Sequence, residues 1–221
     1  RLRVGASVIE FFDHRIEDRV GTVLLGYQLM VRIAAGPCGV VFRGRGESGG
    51  EVAVKLLAPV LAANPSEALR FINGARAQAR VQHPNVTQII VAEVIEGQPL
   101  VITELSAGGS LADRIAQTNA PLAVDQVVTW IRDAARGLQA AEELALLHRS
   151  LRPGNLLFDA EGAITVADFA TGARYVASDP HGGPSTHYLA PEEVTDAVGD
   201  SRANQFSLGC IMYHALTGKA P

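Results

Sequence analysis

Two hydrophobic rhythms divide this chain, and they limit what it can fold into. From Leu24 to about Leu105 the apolar residues fall in short β-branched runs broken by turn signals. "LLGYQLMVRIAAG" and "GVVFRGR" read as strands, "GESGG" (46–50) as a hairpin turn, and "EVAVKLLAP" as the returning strand. "TQIIVAEVIEG" and "PLVITEL" predict two more strands, parted by Gly97-Gln98. One helix interrupts them, "NPSEALRFINGARAQARV" (64–81). Asn64 is placed to cap it, Pro65 suits the first turn, and Glu67 completes a capping-box-like pattern. Gly74 in mid-helix costs about 1 kcal/mol relative to alanine.

The glycine-rich "SAGGSL" (106–111) marks a boundary, and beyond it the rhythm becomes helical. Val124, Val127, Val128, Ile131, Ala134, Ala135 and Leu138 follow helical spacing and predict one apolar face. "NLLFD" and "AITVADF" flank Ala160-Glu161-Gly162 and predict a short hairpin. Residues 170–190 read as loop, and "NQFSLGCIMYHALTG" (204–218) as an apolar helix closed by Gly218. Strands with one helix, a glycine linker and then mostly helices describe an α+β chain with a ligand site expected at the junction. The expected organisation is a lead-in over residues 1–23, a small β-rich lobe over 24–105, and a larger, mainly helical lobe over 106–221.

Composition narrows the function classes. A net charge of −4 gives no electrostatic case for nucleic acid. No uninterrupted apolar run reaches the roughly 20 residues of a membrane span. Two cysteines make no disulfide framework and point to a reducing compartment. A cytoplasmic location is therefore expected, with any membrane anchor of a longer parent chain lying outside these residues. The six histidines show no metal-ligand spacing.

Five motifs follow one another in a specific order: "AAGPCGVVF" (34–42), "VAVK" (52–55), "HRSLRPGN" (148–155), "ADFATG" (167–172), whose Asp168 lies thirteen residues after Asn155, and "YLAPEE" (188–193). Together they resemble a protein kinase domain, closest to the bacterial-type Ser/Thr kinases, from about Leu24 to Pro221. The resemblance implies the two-lobed kinase-like fold, with terminal helices of the larger lobe expected beyond Pro221. It also implies a nucleotide site. Gly36 and Gly39 belong to the phosphate loop, and Lys55 matches the strand lysine that meets the phosphates. Val41 and Ala53 would roof the adenine pocket, Leu157 would floor it, and Thr103 would stand at its back. Backbone groups of Glu104 and Ser106 would meet the adenine edge. Asp168 and Asn155 match the two metal-binding positions, whose oxygen donors suit Mg²⁺. Apolar strand residues and turn-forming Asn or Asp also occur in any ordinary core, so this reading stands beside a purely structural one.

Departures from the family pattern are concentrated where phosphoryl transfer needs orientation. The catalytic aspartate falls on Ser150, whose hydroxyl is no carboxylate base near neutral pH. The helix glutamate that pairs with the lysine falls on Gly74, which leaves Lys55 free to pair with Asp168 instead. The first loop glycine falls on Ala34, and Pro37 at the tip lacks an N–H donor. Arg152 stands in place of the usual lysine, preserving charge but not shape. Ala170 replaces the last glycine of the metal-binding triplet, and Asn204 replaces the aspartate that anchors the catalytic loop. Gln78 falls in the hydrophobic column with His148 and Phe169, where a polar group is expected to weaken the active alignment.

The resemblance thus implies a degenerate, pseudokinase-like domain that binds ATP and Mg²⁺, transfers phosphate weakly or not at all, and serves signalling through an unidentified protein substrate or partner. Two alternatives stay open: an active Ser/Thr kinase of low activity, and a nucleotide-free interaction scaffold. Arg149 is kept, and in the family this arginine meets a phosphate on the activation segment. Thr171, Ser178, Ser185 and Thr186 are the hydroxyls available there, and each is also an ordinary loop residue.

Overall fold

A computed structural model describes residues 19–118, 120–169, 186–194 and 200–221. The first part is a six-stranded antiparallel sheet with strand order β1-β2-β3-β4-β6-β5. Its strands are β1 (Val23–Leu24), β2 (Tyr27–Gly36), β3 (Gly39–Gly46), β4 (Glu51–Leu57), β5 (Ile89–Ile95) and β6 (Gln98–Glu104). The run expected to be one strand from Leu24 is broken at Leu25-Gly26. Both residues have positive φ (51° and 81°), so the chain reverses and β1 pairs back on β2. The β5–β6 turn is likewise Glu96-Gly97, at φ 49° and 80°, one residue earlier than the sequence suggests.

Alternation along β3, β4 and β6 buries Val40, Phe42, Val52, Val54, Leu56, Leu100 and Ile102 inside the curled sheet, together with Leu29 of β2. Between β4 and β5 stand α2 (Pro65–Gln78) and, before it, a short helix α1 (Pro59–Ala62) that the sequence did not announce and whose first residue, Pro59, was expected to end the strand. Asn64 caps α2 as expected, its side chain accepting from the Ser66 N–H at 3.1 Å. Glu67 does not close the capping box. Its carboxylate turns instead to the Arg70 guanidinium, at 3.2 Å. Phe71, Ile72 and Ala75 seat α2 on Leu57, Ile89 and Val101.

After the linker come α3 (Leu111–Thr118), α4 (Val124–Glu142), the hairpin β7 (Leu156–Phe158) and β8 (Ile164–Val166), α5 (Pro191–Val194) and α6 (Ser201–Thr217). Helix α3 begins with a true capping box: Ser110 and Asp113 exchange hydrogen bonds through Ser110 N–H (2.8 Å) and Asp113 N–H (3.2 Å). The buried face of α4 is rotated from the expected one. Val127, Trp130, Ala134, Gly137, Leu138 and Ala141 turn inward, while Val124 and Val128 are exposed. Trp130 draws the helix round by packing edge-on against Phe158 at 4.9 Å. Asp200 caps α6, and Gly218 ends it in the left-handed conformation. Among the described residues no helix is long and apolar enough to cross a membrane.

The two parts meet at a seam between α2 and β5. Val86 bridges Val166, and the Asn85 carbonyl accepts from Val166 N–H at 2.9 Å. Asn85 also presses on α4: a Cβ at Gly137 would lie 2.4 Å from its carbonyl oxygen. Gly137→Ala is therefore expected to destabilise the domain by about 1–3 kcal/mol, the usual cost of overpacking, despite alanine's better helix propensity. Urea unfolding of the variant checks this; equal or greater stability would mean that the seam is not close-packed.

Candidate nucleotide and metal site

One face of the sheet is left only half-covered, and it carries Val41, Ala53, Lys55 and Thr103. Register places Val41 opposite Lys55 and Ala53 opposite Thr103, and directly paired residues share a face. Four of the residues assigned to a nucleotide by resemblance are thus brought to one surface. Thr103 turns its hydroxyl to the Glu104 carbonyl at 3.0 Å, and Glu104 itself is exposed. Ser106 is half-buried at the start of the linker. Leu157, also half-buried, lies on β7 and is bridged to the linker at Ser110.

The β2–β3 hairpin closes with Gly36 opposite Gly39 and Pro37-Cys38 at its tip. Gly39 is required by the fold itself: its φ is 142°, and a Cβ there would lie 2.0 Å from the Leu56 carbonyl oxygen. Gly36 differs, being exposed with open space around its Cα. The Cys38 carbonyl accepts from Ala58 N–H at 3.0 Å, which ties the tip to the end of β4. Burial lifts the Cys38 thiol above its ordinary pKa, against the opposing charge of Lys55. Cys38 thus sits half-buried at the hairpin tip, within electrostatic reach of Lys55.

Lys55 Nζ stands 2.7 Å from Asp168 Oδ2. Its side chain keeps 16% of its exposure and that of Asp168 keeps 36%. Burial by itself would raise the Asp168 carboxyl, but the charge and hydrogen bond of Lys55 outweigh it and hold the group below its usual pKa. Gly74 is buried on α2 and offers no carboxylate. The Phe71 ring, one helical turn earlier, lies 6.0 Å from the ammonium. Asp168 itself adopts φ 65°, an uncommon conformation for a non-glycine residue.

The loop before β7 is built from backbone contacts. His148 is fully buried and its Nε2 meets the Ala167 carbonyl at 2.8 Å, while its Nδ1 faces the Ser150 N–H at 3.4 Å. This pairing makes Nε2 the protonated nitrogen of a neutral ring. Burial pushes the His148 pKa down to about 4. Ser150 is buried at 7% exposure, and its carbonyl accepts from Asn155 Nδ2 at 3.1 Å. Arg152 Nε–H reaches Asn155 Oδ1 at 3.3 Å, and the Asn155 carbonyl accepts from Ala167 N–H at 2.9 Å. Asn155 is thereby fixed to the residue preceding Asp168. Arg149 is exposed with φ 63° and is felt electrostatically by Glu193.

At Gln78 the polar side chain is not the misfit expected. It is 2% exposed, its Nε2 donates to the Thr87 carbonyl at 2.7 Å, and its Oε1 accepts from Phe169 N–H at 3.2 Å. The sequence shows a glutamine among apolar neighbours, but only the tertiary structure supplies its two partners. Asn204 is buried on α6. Ala170, Thr171, Ser178 and Ser185 lie outside the described residues, and Thr186 opens a short 3₁₀ turn ending at Tyr188. Among the described residues no group of three or more His, Cys, Asp or Glu side chains could cage a metal by itself.

Comparison with known proteins identifies the family and the fold. The family description "Protein kinase domain" matches residues 27–221. The serine/threonine-protein kinase PknB of Mycobacterium leprae is 32% identical over 181 residues, which cover 77% of this chain and 29% of that protein. Pkn1 of Myxococcus xanthus is 31% identical over 230 residues, covering 98% of this chain and 32% of that one. The chain therefore spans about a third or less of the length of these relatives. Among solved structures, a point-substituted form of the PknI kinase domain of Mycobacterium tuberculosis superposes with a TM-score of 0.77 at 27% identity, over 91% of this chain and 78% of that one. With the family match over residues 27–221, the relatives at 31–32% identity and the shared two-part fold in agreement, the chain belongs to the protein kinase domain family, of the bacterial Ser/Thr type.

Proposed function

We propose that this domain binds ATP with Mg²⁺ and transfers phosphate weakly or not at all, acting as a regulatory pseudokinase on the cytoplasmic side through a protein partner. The convergence of Lys55 and Asp168 to 2.7 Å carries the reading, because it joins the phosphate-binding and metal-binding positions at one point. The donor set fits the metal: an Asp carboxylate and an Asn amide oxygen are hard ligands, and Mg²⁺ commonly takes one or two carboxylates and completes its octahedron with phosphate oxygens and water. When bound, the ion neutralises charge on the phosphates. Lys55 would part from Asp168 to reach those phosphates, and Arg152 would part from the Asn155 amide oxygen, so that Asp168 and that oxygen would face the ion. The half-covered face of Val41, Ala53 and Thr103 would take the base, with Leu157 closing it from β7 and the Glu104–Ser106 backbone meeting its edge. Gly36 and Gly39 would let the hairpin backbone approach the phosphates, with one donor fewer at Pro37.

Transfer also needs a group that orients the attacking hydroxyl and accepts its proton. Ser150 occupies that place without a carboxylate. Loss of such a base lowers rates by about 10²–10⁴-fold. A low-activity Ser/Thr kinase is the second reading, favoured by Arg152, which keeps a positive charge in place of the usual lysine.

Thermal melting with ATP, with and without Mg²⁺, tests the proposal. A ligand that binds only the folded state adds about 2.7 kcal/mol at a hundredfold excess over Kd. A Mg²⁺-dependent rise in Tm is expected, and Asp168→Ala should abolish the Mg²⁺-dependent part. No shift at millimolar ATP would refute nucleotide binding and favour an interaction scaffold.

A further inference from the structure

The amide of Gln78 is a polar head inserted between α2 and the segment that carries Asp168. Its two hydrogen bonds run to backbone groups, Thr87 C=O at 2.7 Å and Phe169 N–H at 3.2 Å. A primary amide offers one donor edge and one acceptor edge on a single planar head, so it serves both; an apolar side chain would leave both backbone groups unpaired in a buried site. Thr87 is itself pinned to β8. Its N–H donates to the Val166 carbonyl at 3.0 Å, and its hydroxyl meets that of Thr165 at 2.9 Å. Since β8 runs directly into Ala167, Asp168 and Phe169, both ends of the amide terminate on the same stretch, one directly and one through Thr87.

One helical turn before Gln78 on α2 stands Gly74, which has no side chain to hold Lys55. Asp168 takes a φ of 65°, a conformation that persists only when its surroundings hold it. Phe169 N–H is the next backbone donor in the chain, and Gln78 holds it. The Phe169 ring is held separately by His148, at a centroid distance of 4.8 Å.

We propose that Gln78 is a positioning residue whose amide holds the Asp168-Phe169 backbone against α2, and so sets where the Asp168 carboxylate meets Lys55. Position 74 offers the site no side chain, and the helix grips it instead through the amide at position 78. The inference rests on the reading of Lys55 and Asp168 as a nucleotide site only for its functional consequence, not for the hydrogen-bond clip itself.

Residue-resolved amide hydrogen exchange on the full chain tests it, comparing Gln78→Met, which matches the length and fills the column, with Gln78→Glu, which keeps an acceptor for Phe169. The Phe169 amide is expected to exchange at least tenfold faster in Gln78→Met, with the Val54 and Ile102 amides of the sheet unchanged. Gln78→Glu should retain more of the Phe169 protection than Gln78→Met. Melting with ATP should show a weakened Mg²⁺-dependent shift in Gln78→Met and an unchanged shift with ATP alone. Phe169 exchange within twofold of the unaltered chain in Gln78→Met would overturn the proposal, and so would equal acceleration across the whole sheet. If the unaltered chain shows no Mg-ATP shift while Phe169 still depends on Gln78, the nucleotide reading fails and the clip stands.

Discussion

Ser150→Asp is expected to raise phosphate transfer to a Ser/Thr peptide by roughly 10²–10⁴-fold, the range that a positioned proton acceptor contributes. The loop at this point is shaped by its backbone. Ser150 N–H faces His148 Nδ1, and its carbonyl holds the Asn155 amide. Neither bond uses the serine hydroxyl, so a carboxylate introduced there inherits the same backbone path, with Arg152 two residues on to balance its charge. Radiolabelled ATP and a peptide mixture provide the assay, with Asp168→Ala added to the same chain as a blank. Ser150→Ala should match the unaltered protein, because the hydroxyl performs no step. A Ser150→Asp variant no faster than the unaltered chain would mean that the missing partner at Gly74 or the lost donor at Pro37 sets the rate. Groups that act as a unit do not add, so Gly74→Glu with Ser150→Asp need not give the product of the single effects.

Acid should unfold this domain through His148. Its pKa lies near 4 in the folded protein, chiefly because burial disfavours the charged ring, against about 6.5 in an unfolded chain. The unfolded state therefore takes up a proton between pH 6.5 and 4 that the folded state refuses. Stability contributed by the buried neutral ring is complete above pH 6.5 and is lost as pH falls toward 4, by about 3 kcal/mol. Asp168, held below its usual pKa despite its burial, adds to the loss further down the acid range. Urea unfolding at a series of pH values should show a slope approaching 1.4 kcal/mol per pH unit within this window. His148→Phe should flatten that slope whatever it does to stability at pH 7. An unchanged slope in the variant would show that His148 is not the group that titrates.

Much of the architecture was readable because its signals are local. Asn64-Pro65 announces the start of α2, and the spacing of apolar residues along "NQFSLGCIMYHALTG" announces α6. The order of the glycine hairpin, strand lysine, catalytic loop and aspartate triplet pointed to the family, because each motif is a short run whose residue types are dictated by phosphate, metal or turn geometry. Local signals failed where two were in competition. Glu67 had both a helix N-terminus and an arginine three residues on within reach, and the arginine won. The face of α4 was misplaced because Val124 and Val128 fit the apolar spacing as well as Trp130 does, and only the ring of Phe158 decides between them.

By itself, then, the sequence determined the kinase-type chain, the strand-and-helix order, and the absence of carboxylates at positions 74 and 150, all of which are matters of residue identity at a given place. Tertiary structure decided where the remaining charges went. Lys55 and Asp168 are 113 positions apart, and their approach to 2.7 Å depends on the seam at Asn85, Val86 and Val166 that joins the two parts. Gln78 and Phe169 are separated by 91 positions, and what looked like a polar flaw in an apolar column is a satisfied amide once both backbone partners are in place. A buried donor or acceptor is judged by the groups that surround it, and those groups are assembled by the fold rather than by the neighbouring residues in the chain.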